Sequence, residues 1–563
     1  MEHSQQVNRS LHSLEKRKQR QQLLRQPALI AVTLAIILIL VIFSIYPLLE
    51  VFRQTIWDNG LDFSVLQKTL SSSYFWKAFG NSVLLGLTTA AISTVVGFIF
   101  AFAVTRTEMP GKKFFHMIAM LPIVSPPFVM ALAMITMFGR SGMITKGLLG
   151  ITNANVYGMH SLVIVQALAM FPLAYLNLRG ILESINTSVE DAAQSLGASR
   201  GKVFRSVTLP LCIPAIFSSI LIVFIKSISD FGNPQLLGGD FSTLSSQAYL
   251  QINGMHNLRG GALIAVSILL PSVLAFVIQK YWVSKKSFVS VTGKPTAGSQ
   301  RINEKHIVAP LFIICVIFTL IVLLFYLTVV MISFVKTWGV DMTPTLDNFR
   351  FAFQRGASYI QGSLILAVIA TPITAIMGMI IAYLVIRKNF LGKRFIEFSS
   401  ILAFAVPGIV LGIGYILAFN KPPILLTGSA TIIIMALVFR NMSVGIESGT
   451  NSLRQVDPCI EEASSSLGAS TPRTFLKITL PLMRSALYTS LVNSFVRSMT
   501  SISAVIFIVS VNWNLLTVLI MSEVEASRFG VASAYCVILM LIVFAAFAVM
   551  DLLVNRLGKR KGA

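Results

Sequence analysis

DAAQSLGASRGKVFRSVTLPL, Asp191 to Leu211, and EASSSLGASTPRTFLKITLPL, Glu462 to Leu482, are one segment written twice in an otherwise apolar chain. Both copies are helix-forming, and both are too polar to lie in a bilayer. What surrounds them sets their meaning. The chain has 563 residues, 55% of them hydrophobic and 12% charged, with a mean hydropathy of +0.78. A soluble fold of this length cannot bury so much apolar surface, so the sequence describes an integral membrane protein. Apolar runs of about 20 residues, long enough to cross roughly 30 Å of hydrocarbon as helix, fall near 29–49, 81–105, 115–138, 160–178, 211–236, 261–283, 308–334, 362–386, 396–419, 429–448, 482–508 and 530–555. Twelve spans are expected, in an all-α membrane fold.

A formal charge of +23 would suit nucleic acid if the charge were gathered on one surface. Instead the basic residues occupy alternate loops: Lys16 to Arg25, Arg106 with Lys112 and Lys113, Lys202 with Arg205, and Lys285 to Lys305. The same order returns in the second half, with Arg387 to Arg394, Arg473 with Lys477, and Arg556 to Lys561. By the positive-inside rule these loops and both termini face the cytoplasm. The charge reports topology, and no nucleic-acid partner is implied. The 28-residue polar start precedes an apolar run without a small-residue cleavage pattern, so the first span reads as an uncleaved anchor. Cys212, Cys315, Cys459 and Cys536 offer neither a disulfide pairing nor a metal spacing.

The duplication extends beyond the quoted segment. A shift of 281 residues lays RTEMPGKKF (106–114) on RKNFLGKRF (387–395), Trp57 on Trp338 and Pro126 on Pro407. A shift of 271 lays Glu190 on Glu461, Gly197 on Gly468 and Pro210 on Pro481. The difference falls largely between the third and fourth spans of each half, where a loop shortens, so one six-span module is written twice. The expected organisation is a basic tail (1–28), a first module (29–289, polar loop 186–210), a cytoplasmic linker (290–307), a second module (308–555, polar loop 457–481) and a basic end (556–563). An even number of spans per module inserts both copies the same way up, about an axis along the membrane normal.

In the polar loop, Asn186 and Asp457 are suited to cap a helix, and Pro458 suits the first helical position. Glu190, Asp191, Glu461 and Glu462 then lie in the early turns, where the helix dipole favours negative charge. Gly197 and Gly468 end the helix through the left-handed conformation. Ser199 and Ser470 can cap a second helix, and Leu209-Pro210 and Leu480-Pro481 mark entry into the next span. An amphipathic helix on the membrane surface is one reading of such a segment. The duplicated acids, which anionic headgroups repel, and the small faces of Ala192, Ala193 and Ala463 point instead to a helix that docks in a protein groove.

The pattern acidic-Ala-Ala-x-x-x-Gly, then nine residues, then Ile-x-Leu-Pro resembles the EAA loop of binding-protein-dependent ABC importer permeases, and it reads here as DAAQSLG…VTLP and EASSSLG…ITLP. The copies depart from it at Asp191 for Glu, Val207 for Ile and Ser464 for Ala. The resemblance covers both halves and implies a fused, two-module type I permease in the bacterial cytoplasmic (inner) membrane. Its loops would be coupling helices seated on two copies of a cytoplasmic ABC ATPase, with an extracytoplasmic solute-binding protein on the other side. ATP and Mg²⁺ would belong to the ATPase, leaving this chain no cofactor and no enzymatic activity. The residues agree: a P-loop needs Gly-Lys followed by Ser or Thr, whereas every Gly-Lys here is followed by Lys113, Val203, Pro295, Arg394 or Arg560. Neither His-Glu-x-x-His nor Gly-x-Ser-x-Gly is present.

Ionisable residues within spans are costly and mark function by default. Lys226, Asp230, Arg440 and Arg497 fall in the expected spans, and Asn233 follows Asp230 closely. Lys226 and Arg497 are equivalent under the shift of 271, each 16 residues beyond its Leu-Pro pair, or about 24 Å at 1.5 Å per residue. Either they face the substrate pathway as paired cations, or they snorkel outward with Asp230 as a helical partner of Lys226. The stretch 227–249 resembles permeases of the class that serves ferric iron, phosphonates and sugar phosphates. Paired cations suit a phosphorylated anion, while bare Fe³⁺ prefers oxygen anions. The expected function is therefore translocation in an ATP-driven importer, for ferric iron or a small phosphorylated anion. The alternatives are the same machinery serving another solute such as thiamine, and a twelve-span secondary transporter.

Overall fold

The computed structural model describes residues 27–57, 60–185, 188–283, 302–390 and 392–559. Most of the basic N-terminal tail and of the linker, the last residues of the basic C-terminal end, and the Asn186 cap lie outside them. Among the described residues nine helices are long and apolar enough to cross a membrane, or ten if one sharply bent pair counts as a single span. The shortfall from twelve has three local causes.

The run 115–138 forms two helices, Lys112–Val124 and Val129–Leu148, meeting at 98°. Pro126 and Pro127 cannot donate a backbone N–H, and Ser125 ahead of them is extended (ψ 157°). The equivalent run 396–419 is likewise cut into Lys393–Ala405 and Gly408–Phe419, with Val406 extended ahead of Pro407. The run 482–508 is helical over Arg484–Met499, after which TSIS (500–503) leads into turns. Thr500 there donates its hydroxyl to the Val496 carbonyl at 2.8 Å, one of the local bonds by which Ser and Thr compete with helix. The helix expected over 211–236 also stops early, at Ile228. Lys226 and Arg497 thus stand in the last turns of their helices, where the dipole favours a cation.

The chain divides into two compact units that do not coincide with the two halves of the sequence. One holds Met1–Arg53, Tyr359–Leu515 and Ile542–Ala563, and the other holds Gln54–Ser358 and Leu516–Leu541. The first span accordingly packs with second-half helices. Phe43 lies against Phe419 (ring centroids 5.4 Å apart) and Phe439 (5.6 Å), and the Tyr415 hydroxyl donates to the Phe43 carbonyl at 2.8 Å. Gly414 allows the approach: a Cβ there would stand 2.8 Å from the Pro47 carbonyl oxygen. Glu50 binds both Arg53 and Lys421 at 3.0 Å.

In the other unit the Lys305–Ser333 helix packs with first-half helices. Phe318 lies against Phe171 (4.8 Å) and Phe100 (5.6 Å). The Tyr326 hydroxyl donates to Ser125 Oγ at 2.6 Å, satisfying polar atoms at the bend. A short antiparallel hairpin, Val335–Thr337 with Asp341–Pro344, follows this helix. Trp338 at its tip donates its indole N–H to the Thr136 carbonyl at 2.9 Å.

Candidate functional site

Each polar loop folds as a short helix, a glycine corner and a second helical stretch. In the second copy the Asp457 carboxylate accepts the Cys459 N–H at 2.9 Å and Pro458 opens the helix Pro458–Ser466. These hydrogen bonds hold the exposed Asp457 carboxyl below its ordinary range. The first copy is helical over Ser188–Ser195. Gly197 and Gly468 take φ of +84° and +80°, conformations L side chains resist. Past the corner, the Ala198 and Ala469 N–H groups return to the Ala193 and Ser464 carbonyls, both at 3.1 Å, closing the helix ends. Ser199 Oγ accepts the Lys202 N–H at 3.4 Å, while Ser470 makes no such bond. The chain then widens into a π-turn, Phe204–Thr208 or Phe475–Thr479, just before the helices that open at Leu209-Pro210 and Leu480-Pro481.

The acidic pairs split by role. Asp191 and Glu462 are exposed, whereas Glu190 and Glu461 turn inward, their side chains 14% and 13% accessible. Glu190 pairs with Arg106 Nη1 at 3.2 Å, while Arg106 Nη2 donates to the Leu182 carbonyl at 2.9 Å. Glu461 pairs with Arg387 Nε at 3.1 Å, and Arg387 Nη2 donates to the Leu453 and Val456 carbonyls at 3.0 and 2.6 Å. Arg106 and Arg387 end equivalent helices, Ser73–Arg106 and Asp347–Arg387. One arginine in each module thus buckles three things together: the end of its own helix, the carbonyls that end the helix ahead of the loop, and the loop helix itself. The hydroxyl beside the acid differs, since Thr208 donates to Glu190 at 2.7 Å, whereas its equivalent in the second copy, Thr479, has its hydroxyl unpaired.

Sequence reasoning missed the most exposed apolar side chains of the two loops. Leu196 and Leu467, one residue ahead of the glycines, are 90% and 89% accessible, and Val189 and Ile460 are exposed beside them. Ala192 and Ala463 are exposed too, while Ser464 is buried against Thr474 at 2.9 Å. The signal was available: the same leucine stands in both copies of a polar segment where no core needs it.

Among the span residues, Asp230 just follows its helix and accepts from Gln166 Nε2 at 2.9 Å and Asn233 Nδ2 at 2.7 Å. Gln166 in turn accepts from Ser227 and Thr89. Lys226 lies one turn before Asp230, in that same unit. In the other unit Arg440 donates to Ser503 Oγ at 2.8 Å. One residue along, Asn441 donates to Ser498 Oγ at 3.1 Å and pins the Ala430–Gln455 helix to Arg484–Met499 beside Arg497.

A helical membrane chain carrying the same loop twice, each copy buckled by its own arginine, has the build of a tandem-duplicated permease. The family model for the inner membrane component of binding-protein-dependent transport systems matches residues 93–288 and 374–561, and the chain belongs to that family. This sets aside the secondary-transporter alternative. Both matched stretches begin after the exchanged spans.

The ferric transport system permease protein FbpB of Actinobacillus pleuropneumoniae is 37% identical over 543 residues, covering 94% of this chain and 78% of that one. A putative FbpB 1 of Haemophilus influenzae is 38% identical over 501 residues, covering 86% and 78%. The molybdenum permease ModB of Escherichia coli is 29% identical over 219 residues, 38% of this chain and 94% of that one. A chain of a solved bacterial alginate ABC transporter, in complex with its periplasmic protein, is 19% identical, with a TM-score of 0.40 over 46% of this chain and 96% of that chain.

Proposed function

We propose that this chain is the translocation subunit of an ATP-driven importer of ferric iron, worked by two copies of a cytoplasmic ABC ATPase and loaded by an extracytoplasmic binding protein. The observation that carries the coupling role is the pair of exposed leucines, Leu196 and Leu467, at rigid glycine corners. An apolar side chain so exposed in a polar segment has its energy to gain by docking. Asp191 and Glu462 supply charge beside it. The buckles of Arg106 and Arg387 fix each docking helix to two span helices, so a displacement of the loop moves the helices with it. In this reading the buckled loops and both termini face the cytoplasm, as the basic loops suggest.

The cargo assignment rests on the names of the FbpB relatives, which favour iron over phosphonates, sugar phosphates and thiamine. Reconstitution tests both parts. The chain alone is expected to hydrolyse no ATP, and the complete importer to take up radio-iron from an iron-loaded binding protein only with ATP inside the reach of its ATPase. Uptake without ATP would remove the coupling role, and uptake of another solute in place of iron would remove the cargo.

A further inference from the structure

Arg440 and Arg497 stand on two helices that are tied together in one unit. Arg440 lies ten residues into Ala430–Gln455, near its middle, and Arg497 in the last turn of Arg484–Met499. The Asn441–Ser498 bond ties the two helices one residue from each of them, at 3.1 Å. Among the described residues Arg440 makes one hydrogen bond, to Ser503, and Arg497 makes none. Glu447 stands two turns further along the helix of Arg440. Each guanidinium carries several N–H donors that cannot be switched off. Two like charges on tied helices with almost no acceptors are costly in such a place, and an anion between them reverses the sign of that cost.

The surroundings fit a built site. A Cβ at Gly408 would fall within contact of both the Arg440 guanidinium and Ser503 Oγ, so the glycine at the broken span opens room for that head group. Both arginines keep partial exposure. The equivalent of Arg440 in the first module, under the shift of 271, is Ala169, so the cluster is not a by-product of the repeat. It also cannot hold iron directly, since arginine offers no lone pair and no group of three or more His, Cys, Asp or Glu that could hold a metal occurs among the described residues.

We propose that Arg440 and Arg497 form an oxyanion site that receives the phosphate or carboxylate ligand accompanying ferric cargo. Fe³⁺ is a hard cation that travels with oxygen anions. A planar fork beside a second cation suits two oxygens of such a ligand. The inference rests on the ferric reading for its cargo but not for its site.

The test uses the complete chain with its ATPase, in nanodiscs of phosphatidylcholine, and follows the thermal midpoint in phosphate, citrate or chloride at equal ionic strength. Phosphate or citrate should raise the midpoint where chloride does not, and Arg440→Met/Arg497→Met should abolish the rise. In proteoliposomes the double variant should lower radio-iron uptake by about tenfold to a hundredfold, with ATPase association and basal hydrolysis kept. Arg497→Lys, which keeps charge but loses the fork, should fall between and serves if the double variant does not assemble. Unchanged uptake and an unchanged oxyanion shift in these variants overturn the site. A shift that appears only when phosphatidylglycerol replaces phosphatidylcholine assigns the arginines to a lipid headgroup and overturns the cargo role. If the unsubstituted importer carries no iron yet keeps an arginine-dependent oxyanion shift, the ferric reading falls and the site stands.

Discussion

Arg106 holds both a carboxylate and a carbonyl, so its loss and the loss of its partner should not be equivalent. Glu190→Gln keeps an acceptor for Arg106 and leaves its bond to Leu182, for an expected cost of about 1–2 kcal/mol. Arg106→Ala strips partners from both and should cost more, about 3 kcal/mol or above, with faster hydrogen exchange over Ser188–Ser195. Equal exchange in the two variants would deny the buckle. The cap at Asp457 gives a pH test. Its carboxyl is held low in the folded loop, so its contribution is complete above the ordinary carboxylate range and is lost only as pH falls through the depressed value. Protection of the Cys459 amide, corrected for intrinsic rate, should therefore hold from pH 7 down to about 5 and fail only below about 4. The Asp457 and Ser199 caps and both glycine corners were legible because single residue types carry that chemistry, whereas Ser470, of the same type, makes no capping bond. The inward turn of Glu190 and Glu461 was not, since a helix start presents its acids to the dipole whichever way they face.

At the scale of elements, the sequence repeat and the polar loops could be read from spacing, while three spans could not. A count of apolar runs of about 20 residues passes over Ser125-Pro126-Pro127, Val406-Pro407 and the Thr500–Ser503 cluster, although each stops a helix for a backbone reason. The close approach of the first span to Gly414 makes a second test. Gly414→Val drives a side chain into the Pro47 carbonyl and should cost about 1–3 kcal/mol by overpacking, read as a lower midpoint of thermal unfolding. Gly147→Val, at a glycine where an added Cβ would meet nothing within 4 Å, should leave the midpoint almost unmoved. If both variants melt alike, the packing of span one on the second-half helices is mistaken.

On the scale of the whole molecule, the proposed docking of both loops predicts a stoichiometry that can be taken apart. Leu196→Asp or Leu467→Asp places a charge at an exposed apolar tip that the proposed docking would bury, at an expected cost of about 2 kcal/mol or more for each ATPase. Each single variant should retain one ATPase firmly and the double variant neither, as counted by mass measurement of the purified complex. Two firmly held copies in the double variant would exclude the leucines from docking. Which helices share a unit was illegible from sequence, because an apolar face records that it must be covered and not by what. That exchange of first spans also sets a timetable for synthesis. Phe43 and the Tyr415 that binds its carbonyl are 372 residues apart, so at ordinary translation rates the first helix waits roughly 20 to 75 s in the bilayer before its partner exists. Lipid is its companion for that interval, and the order of assembly runs against the order of birth.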